Sequence, residues 1–201
     1  MSDVSRRYGS PMYKVIRVVA VSLIHLLFRV RVCGREYLPK EGPLLIASNH
    51  INVLDPFAIG AVVPRFVEFM AKDELFHVPV VAGLIRYLGA FPVRRGANDK
   101  AALKRALEVP KRNGCLVIFP EGHRSRDGRI GKGMPGIALV ARRSMSPVVP
   151  CAIVGTYGFR RTVTIRFGQP IVPAEDDTNE SLLDKLMTQI HYLHSVSNLG
   201  S

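Results

Sequence analysis

His50 and Asp55 stand together in Asn49-His50-Ile51-Asn52-Val53-Leu54-Asp55-Pro56, and a second polar cluster follows in Phe119-Pro120-Glu121-Gly122-His123-Arg124-Ser125. A neutral imidazole can take a hydroxyl proton near neutral pH, and a carboxylate on its other nitrogen fixes the tautomer and stabilises the cation that forms. The second cluster is suited to anions. Gly122 lets backbone approach a ligand, Arg124 can grip a phosphate through two parallel hydrogen bonds, and Glu121 can accept from a substrate hydroxyl or position that arginine. A base beside an anion-binding element suits acyl transfer to a phosphorylated alcohol, with no covalent intermediate required.

A bare His-x4-Asp spacing means little in a chain with six His, so its setting must carry it. The apolar run Leu44 to Ser48 reads as a buried strand, and Asp55-Pro56 opens the apolar stretch Phe57 to Val63 like a helix start. Both side chains are therefore expected at a strand-to-helix turn, where α/β folds place binding and catalytic groups. Further strands are expected over Arg31 to Tyr37, Val67 to Ala71, Cys115 to Phe119, Val148 to Val154 and Val163 to Phe167. Helices are expected over Pro79 to Leu88, Asp99 to Val109, Pro135 to Arg143 and Ser181 to His194, the last with Asp177-x-x-Glu180 as a capping box. Alternating strands and helices make an α/β fold, a mixed sheet flanked by helices.

In these blocks the chain resembles the lysophosphatidic acid acyltransferase family of glycerolipid acyltransferases, whose first block is Asn-His-x4-Asp and whose third is Phe-Pro-Glu-Gly-Thr-Arg-Ser. Gly89-Ala90-Phe91-Pro92-Val93-Arg94-Arg95 is similar to the second block and Val149-Pro150-Cys151-Ala152-Ile153 to the fourth, so all four stand in family order over about residues 30 to 170. His123 replaces the usual Thr, Arg94 stands where an acidic residue is common, and Pro92 replaces an aliphatic or aromatic residue. The resemblance implies transfer of a fatty acyl group from acyl-CoA or acyl carrier protein to the free hydroxyl of 1-acyl-glycerol-3-phosphate, forming phosphatidic acid. His50 would be the base, Asp55 its orienter, and Arg95, Arg124 and Lys72 contacts to the phosphate, with Glu121 and Gly122 completing the acceptor site. Glycerol-3-phosphate or another lysolipid is the alternative acceptor, since the blocks are shared across these substrates, and a non-catalytic lipid-binding relative is a second alternative. A thioester is already activated, so no metal or redox cofactor is chemically needed.

Other nucleophiles are poor candidates. Cys115 begins an apolar strand, where Cys is usually an inert small hydrophobe, and neither Ser48 nor Ser125 stands in a Gly-x-Ser-x-Gly elbow. Cys33, Cys115 and Cys151 are too widely spaced for a metal site or a disulfide framework, which fits a reducing cytoplasm. The formal charge of +12, from 28 Lys and Arg against 16 Asp and Glu, favours a polyanionic partner such as an anionic membrane surface or an acidic carrier protein. Nucleic acid is disfavoured as that partner: there is no zinc-finger spacing, no basic region with heptads and no aromatic RNA-binding signature.

With 47% hydrophobic residues, some apolar surface is expected to meet lipid. The run Val18 to Phe28, as a helix of roughly 16 Å, is too short for a hydrocarbon core of about 30 Å. Extended back to Met12, it reads as an amphipathic helix lying in the membrane interface, with Lys14 and Arg17 snorkelling to head groups while Met12, Val15, Ile16 and Val19 stay in the apolar layer. A core helix packed on the domain is the competing reading. The expected organisation is a membrane-associating segment over residues 1–30 and a catalytic domain over 31–201, held peripherally on the cytoplasmic side of a membrane.

Overall fold

A computed structural model of the chain describes residues 10–94, 99–125 and 127–196. Its strands are β1 (Arg29–Cys33), β2 (Leu44–Ser48), β3 (Val67–Lys72), β4 (Ala90–Val93), β5 (Cys115–Ile118), β6 (Val148–Gly155) and β7 (Thr162–Phe167). Its helices are α1 (Pro11–Leu27), α2 (Asp55–Val62), α3 (Pro79–Tyr87), α4 (Lys100–Lys111), α5 (Gly136–Ser144) and α6 (Asn179–Ser195). The strands form one mixed sheet in the order β1-β7-β6-β2-β5-β3-β4. β6 and β7 pair antiparallel, and the other named pairings are parallel.

β2 and β5 sit mid-sheet and are buried along their whole length, which explains why both read as unbroken apolar runs rather than alternating ones. Alternate residues of β2 feed two cores. Leu44 and Ile46 join α2, α3, β3 and β6 on one face, while Leu45 and Ala47 join α4, α5 and α6 on the other. The helix after β2 thus covers one face and the helix after β5 the opposite face. In an open α/β sheet the crevice at the carboxyl ends of two such neighbouring strands is where ligands bind. β2 through β6 all run the same way, so the segments after β6, β2, β5, β3 and β4 share that edge.

Several boundaries differ from the sequence expectation. The first strand ends at Cys33, because Gly34 takes a left-handed conformation (φ 75°) and residues 35 to 37 form a 3-10 turn. A Cβ on Gly34 would lie 2.0 Å from the Phe167 carbonyl oxygen, so only glycine permits that turn. β4 has no counterpart in the expected set, being short and carrying Pro92; as the last strand of the sheet it has an unpaired edge where the missing N–H costs nothing. The box capping α6 is Thr178 with Ser181, not Asp177 with Glu180. Asp177 instead accepts from the Ala174 backbone, the Ser181 hydroxyl and Lys185.

Candidate active site

The chain leaving β2 makes the turn that holds His50 and Asp55 together. Asp55 is the first residue of α2, and its wholly buried carboxylate turns back over the preceding loop. Oδ2 accepts from the backbone N–H groups of Ile51 and Asn52 and from His50 Nδ1, each at 2.7 Å. Asp55 therefore shapes the turn and orients the imidazole at once. With the Nδ1 proton held by the carboxylate, the lone pair falls on Nε2, which makes no hydrogen bond among the described residues. The Phe119 ring stacks on the imidazole at 4.1 Å, and only 7% of His50 is exposed, so the ring is held by packing as well as by Asp55.

Neighbouring strands fix this turn from both sides. Past the last paired residues of β2 and β6, the Asn49 side chain imitates a strand by accepting from Ile153 N (2.7 Å) and donating to Ile153 O (3.0 Å). From β5, buried Glu121 accepts from His50 N at 2.9 Å through Oε1 and from Gly131 N at 2.7 Å through Oε2. Ser125 N donates to His50 O at 2.7 Å, so the loop after β5 wraps the histidine. Gly122 lets that loop turn: its φ is 69°, and a Cβ there would reach 1.9 Å from the Met134 methyl. Asn49 and Phe119 had no assigned part in the sequence reading, although both lie inside the quoted motifs.

The cationic residues stand farther along the same edge. Arg124 is exposed and makes no ion pair among the described residues. Lys72 closes β3, two strands from β2 and so about 10 Å across the sheet, and pairs with Glu74 at 2.8 Å. Arg94, beyond β4, pairs with Asp73 at 3.3 Å. Arg95 lies outside the described residues. The Cys115 and Cys151 thiols are buried, and burial pushes each up to about 12, which leaves neither as a ready nucleophile.

α1 presents its apolar side outward. Met12, Val15, Val19, Leu23 and Leu26, spaced three or four apart, are all at least half exposed, while Tyr13 and Ile24 pack inward. Beside it, α3 and the turn before it expose Leu75, Val78, Val80 and Leu84. The two helices meet where Ser10 Oγ lies 3.2 Å from Tyr87 Oη and where the Tyr13 and Tyr87 rings approach to 6.0 Å. Arg17 departs from expectation: its guanidinium points into the protein and donates to the Val63 carbonyl at 2.9 Å, serving the end of α2 rather than head groups. Among the described residues no helix is long and apolar enough to cross a membrane.

Several relatives of the chain are named 1-acyl-sn-glycerol-3-phosphate acyltransferases. A chloroplastic 1-acyl-sn-glycerol-3-phosphate acyltransferase of Brassica napus is 30% identical over 154 residues, 75% of this chain and 44% of that protein. The enzyme of the same name from Bacillus subtilis is 30% identical over 146 residues, 72% of each chain. The chain thus spans less than half of the plant protein but most of the bacterial one. The crystal structure of the 1-acyl-sn-glycerophosphate acyltransferase PlsC from Thermotoga maritima superposes with a TM-score of 0.73 at 23% identity, covering 98% of this chain and 88% of that one, so the two share a fold. Residues 29–154, from the start of β1 nearly to the end of β6, match the Acyltransferase family over well more than half of the chain, and the chain belongs to that family.

Proposed function

We propose that the protein transfers a fatty acyl group from acyl-CoA or acyl carrier protein to the free hydroxyl of 1-acyl-glycerol-3-phosphate, producing phosphatidic acid. The observation that carries this reading is the buried His50–Asp55 pair at 2.7 Å, with Nε2 uncommitted among the described residues, on a sheet edge that also bears Arg124 and Lys72. Nε2 takes the acceptor's hydroxyl proton as its oxygen attacks the thioester carbonyl. The C–S bond then breaks and the thiolate leaves with the proton returned by the imidazolium. Asp55 holds the imidazole in the required tautomer and balances its transient charge. Both Glu121 oxygens are engaged by backbone N–H groups, so its part is to position His50 and the loop bearing Arg124, while Arg124, with Arg95 and Lys72, meets the acceptor phosphate in this reading.

The acceptor is a lipid, and the exposed apolar faces of α1 and α3 provide a docking surface that needs no spanning helix. A patch of this kind on an otherwise charged protein inserts into the interface, while the surplus of Lys and Arg adds attraction to anionic lipid. The protein accordingly acts as a peripheral enzyme on the cytoplasmic side of a membrane, with residues 1–30 as the docking segment.

The deciding experiment gives purified protein labelled acyl-CoA or acyl carrier protein together with a panel of lysophospholipids and glycerol-3-phosphate. Phosphatidic acid from 1-acyl-glycerol-3-phosphate is the expected product. Acylation of glycerol-3-phosphate alone would reassign the acceptor, and absence of transfer to every acceptor would overturn the reading. Val15→Gln with Val19→Gln and Leu23→Gln should reduce binding to anionic vesicles while sparing turnover of a short-chain, water-soluble acceptor.

A further inference from the structure

Asp55 does all the work described above with one oxygen. Oδ2 takes three hydrogen bonds, whereas Oδ1 is buried with no hydrogen-bond partner among the described residues. Buried polar atoms are nearly always paired, so an open carboxylate oxygen at the heart of a site points to a donor close by. The Tyr157 hydroxyl is buried too, and it also lacks a partner among the described residues. The two groups are neighbours. Burial pushes the phenol far above its usual range, and the nearby Asp55 charge pushes it further. The phenol therefore keeps its proton and is available as a donor.

The fold explains how a residue so distant in sequence arrives there. β6 runs beside β2 with Cys151 opposite Ser48, and Asn49 extends the pairing to Ile153. At Gly155 the chain turns with φ 110°, where a Cβ would lie 2.4 Å from the Thr162 carbonyl oxygen, and this turn delivers Tyr157 to the core under α2. Phe28, the residue that ends α1, packs edge-on against the Tyr157 ring at 5.2 Å. Phe28 is itself buried.

We propose that Tyr157 is a positioning residue, its hydroxyl donating to Asp55 Oδ1 and setting the carboxylate plane that in turn aims His50. Because Phe28 braces the ring, the seating of α1 reaches the His50–Asp55 pair through a chain of two aromatic side chains and one carboxylate. Among the described residues the titratable groups that feel the Asp55 charge are then His50, bonded to it, and Tyr157 and the Cys151 thiol, which burial keeps protonated.

Tyr157→Phe tests this, since it keeps the ring and its packing on Phe28 and removes only the donor. In the full-length protein the low-field proton resonance of the His50–Asp55 hydrogen bond should move. Acyl transfer should show kcat lowered about 3- to 10-fold with the acceptor KM within twofold, as expected when orientation rather than binding is lost. The activity arm rests on the proposed function, but the resonance does not: a wild-type protein that transfers to no acceptor would refute that function and leave the NMR comparison decisive. An unmoved resonance with wild-type kcat would overturn the positioning role, as would a Tyr157→Phe protein that is more stable and equally active, because that is the signature of a hydroxyl with no bond to lose. Phe28→Leu should move the resonance in the same direction by less; no movement there would overturn the link to α1.

Discussion

Two halves of one sheet edge follow opposite rules. Around β2 and β5 the polar groups are buried and bound in advance: His50 to Asp55, Glu121 to His50 N and Gly131 N, Asn49 to Ile153. Beyond β3 and β4, and on the loop after β5, the cations stand in solvent, Lys72 and Arg94 in exposed ion pairs and Arg124 in none among the described residues. Atoms that must meet a reacting bond gain from being fixed beforehand, because orientation settled during folding need not be settled again at each turnover. Side chains that recognise a charged head group gain little from such fixing, and burying them unpaired would be costly. The rigid half is therefore expected to govern kcat and the exposed half to govern KM.

The largest effect lies in the rigid half. His50→Ala should lower kcat by roughly 10²–10⁴-fold with acceptor KM little changed, as general-base catalysis contributes on that order. Asp55→Asn should approach the same loss, because an amide cannot both accept from Nδ1 and balance the imidazolium. Steady-state kinetics on soluble acceptor, with circular dichroism to confirm folding, checks both. Turnover of His50→Ala near that of wild type would remove the division of labour altogether.

Glu121→Gln comes next and probes whether positioning without substrate contact also belongs to kcat. The amide keeps one acceptor oxygen, so one of the bonds to His50 N and Gly131 N is lost and an N–H donor is turned toward a backbone donor. Charge-assisted bonds to buried carboxylates contribute about 1.5–3 kcal/mol each. The variant should melt several degrees lower and lose on the order of tenfold in kcat. A rise in KM alone would instead place Glu121 on the acceptor.

Arg124→Ala should act in the other direction, raising KM for the phosphorylated acceptor about tenfold, the lower end for a lost charge-assisted bond because the site is open to water. Its kcat at saturation should stay within a few fold. Raised KM for the thioester alone would move Arg124 to the donor site.

The rigid half was also the more legible in sequence. The unbroken apolar run of β2, the Pro after Asp55 and the spacing back to His50 are all local, so the turn and its two side chains could be placed without tertiary information. What escaped was set by distant partners. Nothing near Glu121 announces that its oxygens will be taken by backbone N–H groups across the β2–β5 seam. Tyr157 meets Asp55 only because β6 lies beside β2, an order that a list of strands does not contain. The inward turn of Arg17 needs the Val63 carbonyl at the end of α2. β4 was hidden by Pro92, which argues against a strand unless the strand is known to be an edge.

The smallest effect concerns Lys72, where the comparison is sharpest. Its ammonium pairs with Glu74 at 2.8 Å, both side chains are at least half exposed, and the contact holds the Glu74 carboxyl below its usual range. An exposed pair of this kind is weak and exchanges readily, so Lys72 can leave Glu74 for a phosphate at little cost. If it does, Lys72→Ala should raise acceptor KM about two- to threefold and Glu74→Gln should lower it, since the second change frees the lysine without removing it. Opposite signs from the two variants would place Lys72 among the residues that meet the head group. Equal KM in both would confine the recognising half of the edge to the arginines, and a fall in kcat from either would mean that the division between the two halves does not hold at β3.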